Sequence, residues 1–333
     1  EGPALDWETL PPRVEAVIEE RIARLDAPSR EALRVASVEG ETFTAEVVAQ
    51  VEAVDEGDMV SRLSRELDRQ HRLVSARGVR PTSRGCLSQY RFRHILFQRY
   101  LYGRLDPVER ARLHRRVGTA LERLHGEAPE EIESVAVQLA RHFQEAGVVE
   151  KAIDYLRQAG ERAVRMSAFA EAVAHLRRGL RWLERLPDSP ARAQQELALQ
   201  LGLAAPLQLA FGLGDLEVVQ ACARARELCG QLGETFQLFP ALWHLTVYYT
   251  SRAEFRTAHE VGEQLIGLAE PTHEPLSIAL AHLAVAWPLV YMGELSRARA
   301  HTERTLSLYD PQLHQSMASL YGMDIGVGTL VNF

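Results

Sequence analysis

Apolar residues recur at helical spacing along most of this chain, and between residues 240 and 311 the pattern occurs twice. In the first copy, Leu242, Leu245 and Tyr249 lie three and four residues apart, as one face of a helix requires. The second copy follows after 40 residues, so that Thr246 corresponds to Ala286. A short turn divides each copy into two apolar segments. The pattern predicts helical hairpins, which must stack on neighbours to bury their apolar faces.

The same interval extends the array in both directions. Ala286 corresponds to Gly326 after a further 40 residues, and small residues at such positions favour close helix contacts. The segment 316–333 resembles only the first helix of another hairpin, so the array is expected to stop in mid-repeat. Pro206 and Pro288 fall late in predicted first helices, and we expect each proline to kink or end its helix.

The N-terminal third has a different pattern. Residues 1–11 read as a linker, and short helices with capping residues follow over 12–25, 29–38, 45–51 and 59–69. Strand-like segments at 73–75 and 89–92 flank a loop rich in Gly, Pro and Ser, and helices resume over 95–102 and 107–125. This order is typical of a winged helix. The sequence therefore predicts a mainly α protein: a winged-helix-like domain over 12–126, then an α-solenoid over 130–333.

Charge and composition narrow the class of protein. The net charge of the 333 residues is −7, yet the segment 71–125 carries 13 Arg against Asp106, Glu109 and Glu122, a balance of +10. The overall charge argues against non-specific binding of nucleic acid by the whole chain.

The 3 cysteines form no CxxC pair, which fits a reducing compartment. No apolar run reaches the length of a membrane span, and the first residues lack a signal peptide. These features predict a cytoplasmic protein.

Motifs for catalysis or cofactor binding are missing from the sequence. A P-loop needs Gly-Lys-Ser/Thr, but the only lysine, Lys151, follows Glu150 and precedes Ala152. No HExxH zinc motif and no GxSxG nucleophile elbow occur among the residues. We therefore expect no enzyme activity, no metal and no cofactor in this chain.

Two surfaces remain as candidates. Arg91, Arg93 and His94 lie together at the end of the second strand and could contact a phosphate group. The alternative is an Arg-rich solvated surface or a contact with an acidic domain.

The second candidate is a groove along the first helices of the hairpins. Alignment of the repeats places three sets of residues in equivalent positions, and they would form an apolar groove that docks a peptide or helix. The alternative is ordinary packing between helices. The sets comprise Trp243, Val247 and Thr250, then Leu283, Trp287 and Val290, then Met323, Val327 and Leu330.

Several short motifs resemble one family. They are Leu10-Pro11-Pro12 with Arg24-Leu25-Asp26, Tyr90-Arg91-Phe92-Arg93-His94 with Leu96-Phe97, Leu139-Ala140-Arg141-His142-Phe143, and Leu308-Tyr309-Asp310-Pro311-Gln312. Together with hairpins of the tetratricopeptide type, they make nearly the whole chain similar to the region that follows the ATPase module in bacterial STAND-type ATPases. Such proteins often carry a class III adenylate/guanylate cyclase domain or a LuxR-type DNA-binding domain.

The resemblance implies a non-catalytic regulatory segment. ATP and Mg²⁺ would be held by an upstream P-loop module that this sequence lacks, the winged-helix part would pack against that module, and His94 would approach its nucleotide. The repeat array would bind a protein or peptide. The alternative hypothesis is a DNA-binding transcription regulator that uses the winged helix and the basic segment 71–125.

Overall fold

The computed structural model describes residues 12–83, 85–126, 128–310 and 325–330 and is mainly helical. The predicted linker over 1–11 lies outside these residues. The chain folds as two compact units, Glu1–Ala152 and Ile153–Phe333. None of the described helices combines the length and hydrophobicity that a bilayer span requires.

The first unit begins with short helices and one strand. Asp26 accepts a hydrogen bond from the Ser29 backbone N–H and caps the second helix, which begins at Ala27 instead of 29. Asp55 caps the fourth helix, which begins at Glu56 instead of 59 and continues into a π-helical segment at Arg62–Gln70. The elements are α1 (Pro12–Ala23), α2 (Ala27–Glu39), β1 (Thr42–Thr44), α3 (Ala45–Glu52) and α4 (Glu56–Ser61).

A three-stranded antiparallel sheet follows, with strand order β1-β3-β2. β2 (Val74–Thr82) and β3 (Gly85–Phe92) form a long hairpin, so the prediction of an extended loop between two short strands was wrong. Gly78, with φ 145°, sits at a register shift in β2 that lets the strand continue where the sequence indicated a loop. The segment Thr42–Thr44 pairs with β3, a strand that the sequence did not predict, and the helix predicted over 45–51 follows it directly with Thr44 as its N-cap.

Four helices complete the first unit: α5 (Ile95–Gly103), α6 (Pro107–His125), α7 (Pro129–Ser134) and α8 (Ala136–Glu145). Asp106 caps α6 and Pro107 occupies its first position, so the helix covers the predicted range 107–125. A Cβ on Gly118 would lie 3.2 Å from the Phe143 ring, so α6 and α8 approach closely. Phe43 of β1 packs between Tyr90 and Phe92 of β3 at the centre of the core.

Residues 149–308 form helices joined by short turns. α9 (Val149–Arg165) spans the division between the units, and from α10 each helix of this run packs against the next one in the chain. The helices are α10 (Phe169–Leu183), α11 (Pro190–Phe211), α12 (Leu216–Leu232), α13 (Leu238–Ser251), α14 (Phe255–Ala269), α15 (Pro275–Tyr291) and α16 (Leu295–Leu308), then α17 (Ile325–Leu330), which contacts α15 and α16.

Small residues set the spacing of these helices. A Cβ on Gly262 of α14 would lie only 2.9 Å from Val285 of α15. Thr246 and Ala286, equivalent by the 40-residue interval, are both fully buried.

We expected Pro206 and Pro288 either to kink or to end their helices. The helices α11 and α15 continue beyond these prolines, so neither proline ends its helix. At Pro288 the missing backbone N–H removes a partner from the Ala284 carbonyl. That oxygen lies 3.2 Å from the position of a Cβ on Gly262, so the glycine allows the two backbones to meet there.

Candidate functional site

A basic cavity with an apolar floor lies in the first unit between α1, the turn before β2 and the start of α5. We call it the α1–α5 cradle, and its volume is about 550 Å³. Val17, which is 58% exposed, and the buried Phe97 contribute to its apolar surface. Its lining residues are Arg13, Val14, Val17, Ile18, Arg21, Arg72, Arg93, His94, Leu96 and Phe97.

The four arginines of the cradle are held in different ways. Arg21 donates a hydrogen bond to the His71 carbonyl oxygen (2.7 Å) and stacks over the Phe97 ring, 4.9 Å from its centroid. Arg93 donates to the Val74 carbonyl oxygen (2.9 Å) and pairs with Asp68 (2.6 Å).

Arg13 and Arg72 are exposed and form no ion pair with another described residue. Arg72 has a φ of 52°, a backbone conformation that costs free energy for a residue other than glycine. The cradle therefore offers guanidinium groups that remain available to an external anion.

His94 stands at the edge of the cradle as the N-cap of α5. Its Nδ1 atom accepts a hydrogen bond from the Leu96 backbone N–H (3.2 Å). The neutral ring must therefore carry its proton on Nε2, which makes Nε2–H a donor. A donor beside several arginines suits a phosphate or carboxylate oxygen.

Arg91, predicted together with Arg93 and His94, does not line the cradle. It pairs with Glu41, with its Nε atom 2.7 Å from Oε1. Arg104, from the same basic segment, contacts Glu15 and Glu19 at 3.4 and 3.5 Å. Part of the excess positive charge of residues 71–125 is thus neutralised inside the first unit.

Three of the predicted groove residues of the array are buried. Trp243 and Leu283 are fully buried and Val247 is 9% exposed. The Trp243 and Trp287 rings pack against each other with centroids 5.6 Å apart, and the Trp287 Nε1–H donates to the Gly328 carbonyl oxygen (3.2 Å). These tryptophans contact each other instead of standing free on a groove.

The remaining residues of the predicted groove differ in their exposure. Thr250 and Val290 are half-buried, whereas Val327 is 61% exposed. Met323 lies outside the described residues, as does the side chain of Leu330. Thr250, Trp287, Val290 and Val327 are thus the described members of the set that keep accessible surface.

An open groove of about 450 Å³ lies elsewhere in the second unit, between α9 and α11. Its floor is made by Val164, Leu176, Leu201 and Gly202, and Arg157 and Glu161 stand on its rim. We call it the α9–α11 groove. The sequence did not indicate this groove, because the 40-residue interval does not extend to α9.

A buried acid lies at the end of α2 in the first unit. The Glu39 carboxylate accepts hydrogen bonds from the Thr44 backbone N–H (3.1 Å) and hydroxyl (2.9 Å). Arg141 donates to the Val38 and Glu39 carbonyl oxygens at 3.1 and 2.6 Å. Burial raises the pKa of Glu39 to about 7, opposed by the bonds from Thr44 and Gln138 and the charge of Arg141. A cavity of about 180 Å³ adjoins it.

A second buried polar group links α5, α6 and α8. The Tyr102 hydroxyl lies 3.0 Å from His114 Nε2, and His114 Nδ1 lies 2.9 Å from His142 Nδ1. Burial lowers the pKa of His114 to about 4, and that of His142 well below its usual range. His142 Nε2 is buried with no hydrogen-bond partner among the described residues.

Since an unpaired buried acceptor is tolerated better than an unpaired N–H, His142 Nδ1–H donates to His114, and His114 Nε2–H to Tyr102.

Comparison with known proteins gives a distant relative. No protein-family model matches the chain. The chain is 25% identical over 311 residues to "Uncharacterized protein R02095" of Rhizobium meliloti (strain 1021), an alignment that covers 92% of this chain and 29% of that protein. The chain thus spans less than a third of the length of the relative that it matches.

Proposed function

We propose that this chain is a non-catalytic regulatory segment of a multidomain signal-transduction ATPase. The first unit, as a winged-helix-like domain, contacts a P-loop module elsewhere in the polypeptide, and the second unit, as a tetratricopeptide-type array, binds a protein or peptide. One observation supports the proposal most directly: the chain contains both a basic cradle with an apolar floor, in the first unit, and a run of sequentially packed helices, in the second.

The cradle supports the first half of the proposal. Its exposed Arg13 and Arg72, the Nε2–H donor of His94 and the exposed Val17 suit a protein surface that carries an anion. In the proposed protein this anion is the phosphate of a nucleotide with its Mg²⁺ in the P-loop module. A relative more than three times as long as the aligned segment is compatible with such a modular arrangement.

The second unit supports the other half. Stacked hairpins present long grooves, and the α9–α11 groove combines an apolar floor with charged residues on its rim. An amphipathic peptide or helix would place its apolar side against Val164 and Leu201, and its charged side towards Arg157 and Glu161.

Binding in trans tests the proposal. The reading frame that contains this chain is expected to encode a Gly-x-x-x-x-Gly-Lys-Ser/Thr loop upstream, and the module with that loop is expected to bind the purified chain. Arg13→Glu with Arg72→Glu should weaken the binding at least about tenfold, because two cations become anions at the contact. Arg256→Glu, an exposed change in the second unit, is the matched control. Absence of such a module, or binding that the double variant leaves intact, would refute the proposal.

The alternative hypothesis of a DNA-binding regulator makes a different experimental prediction. It requires duplex affinity that falls steeply with salt and is lost in Arg91→Ala with Arg93→Ala. Both arginines are engaged in ion pairs within the first unit, so we expect no such affinity.

A further inference from the structure

Two histidine rings face each other across α15 and α16 in the second unit. His282 Nδ1 and His301 Nδ1 lie 2.8 Å apart, and the ring centroids are 5.0 Å apart with 43° between the planes. Two imidazole nitrogens at this distance share one proton or bind one cation, because two lone pairs alone would repel each other.

Carboxylates and a third histidine surround this pair. Glu270, on the 3₁₀ turn after α14, has its Oε1 atom 3.5 Å from His282 Nε2. On α14, His259 Nε2 lies 3.8 Å from Glu263 Oε1, and the charges of both residues act on His301. His259 Nδ1 is buried without a hydrogen-bond partner in the described part of the chain. Nitrogen and carboxylate oxygen donors from neighbouring helical elements thus gather around one place.

The buried pair of His114 and His142 has similar ring geometry but different surroundings. His114 and His142 have nearly the same geometry, with Nδ1 atoms 2.9 Å and centroids 5.0 Å apart. Both are almost completely buried, and the hydroxyl of Tyr102 completes the hydrogen bonding of His114. His282 and His301 are instead half-buried and flanked by acids, so that an ion could reach them from solvent.

We propose that His282 and His301 bind a divalent transition-metal ion through their Nδ1 atoms, with Glu270 or Glu263 and water as the remaining ligands. Tetrahedral zinc with two imidazole ligands requires nitrogens about 3.3 Å apart, so the rings must separate by roughly half an ångström. A site with adjacent ligands at 90°, as Cu²⁺ or Ni²⁺ prefers, requires about 2.9 Å. The observed distance therefore suits either geometry after a small movement.

A carboxylate must move to become the third ligand of the metal ion. Among the described residues no three His, Cys, Asp or Glu side chains already converge as a metal site. The side chains of Glu270 and Glu263 are 51% and 49% exposed, so each can change rotamer without disturbing the core. The ion would tie the end of α14 to α15 and α16 and raise the thermal stability of this part of the array.

Metal titration of the tag-free, dialysed chain tests the site. Calorimetry with Zn²⁺ or Ni²⁺ should give one saturable site, and Co²⁺ should give the visible absorption of a nitrogen-ligated ion. His282→Gln and His301→Gln should each weaken binding at least about tenfold and abolish the metal-dependent rise in melting temperature. His175→Gln is the matched control, since His175 also lies on an array helix beside a glutamate, 3.3 Å from Glu171.

Further variants separate a ligand role from a structural one. Glu270→Gln and Glu263→Gln should identify the carboxylate ligand through a smaller loss of affinity, while circular dichroism without metal shows whether each variant is folded. Binding that both histidine variants retain, or the absence of saturable binding of Zn²⁺ and Ni²⁺ at high metal concentration, would overturn the proposal.

Discussion

Glu39 should make the stability of the first unit depend on pH in a direction unusual for an acid. Its side chain is only 6% exposed, and burial raises its pKa from 4.5 to about 7. Between these values the folded state holds a proton that the unfolded chain has released. The stabilisation is therefore complete below about pH 4.5 and is lost as the pH rises through 7. The difference corresponds to about 3 kcal/mol.

Glu39→Gln removes the ionisation and keeps the shape. The glutamine oxygen can accept from the Thr44 backbone N–H, and its amide can donate to the Thr44 hydroxyl, so both bonds persist with one reversed. The variant should match the wild type near pH 4.5 and exceed its free energy of unfolding by about 3 kcal/mol near pH 8. Because burial lowers the pKa of His114, its contribution falls with falling pH, but both proteins share it and it cancels in the difference.

Urea unfolding by circular dichroism measures this difference, and hydrogen exchange of α2 and β1 amides assigns it to the first unit. Glu56→Gln, in an exposed position, controls for the loss of one charge. A difference between Glu39→Gln and wild type that stays constant from about pH 5 to pH 8 would show that burial does not govern this carboxyl.

Three further predictions concern packing and reactivity. Gly262→Ala, whose Cβ would lie 2.9 Å from a neighbouring valine, should lower the stability of the second unit by about 1–3 kcal/mol, whereas Gly267→Ala, with nothing within 4 Å, should raise it slightly in the same thermal melt. Trp243→Ala should cost about 3–5 kcal/mol by circular dichroism, because the side chain is fully buried. A thiol reagent should modify the exposed Cys86 quickly and reach Cys222, whose pKa burial raises to about 12, only after unfolding.

Helices that have a capping residue and regular apolar spacing in their own sequence were predictable. α6 starts at Pro107 and ends at His125 as predicted, since Asp106 and the apolar spacing determine it within a few residues. β1 was not predictable in this way. Its strand character depends on pairing with β3, where Thr44 lies opposite Gln89, and no local pattern reports a partner 45 residues away.

The cradle shows the same limit for a candidate site. Arg93 and His94 could be singled out because they are adjacent in the sequence within a basic segment. Arg13 and Arg72 join them only through the packing of α1 and the turn before β2, with Arg72 in a left-handed conformation that its neighbours do not predict. Sequence proximity thus identified part of the site, and tertiary contacts supplied its free cations.

The buried Trp243 and its neighbour Trp287 show what a repeat can and cannot determine. The 40-residue interval relates α13 to α15, because equivalent residues such as Thr246 and Ala286 occupy equivalent, buried places. It does not determine which side of a helix faces a partner. α13 and α15 carry apolar residues on nearly every side, and a helix that is apolar all round is enclosed by its neighbours. Helices with a polar side, such as α9, are the ones that leave one face open, and the accessible groove accordingly lies beside α9.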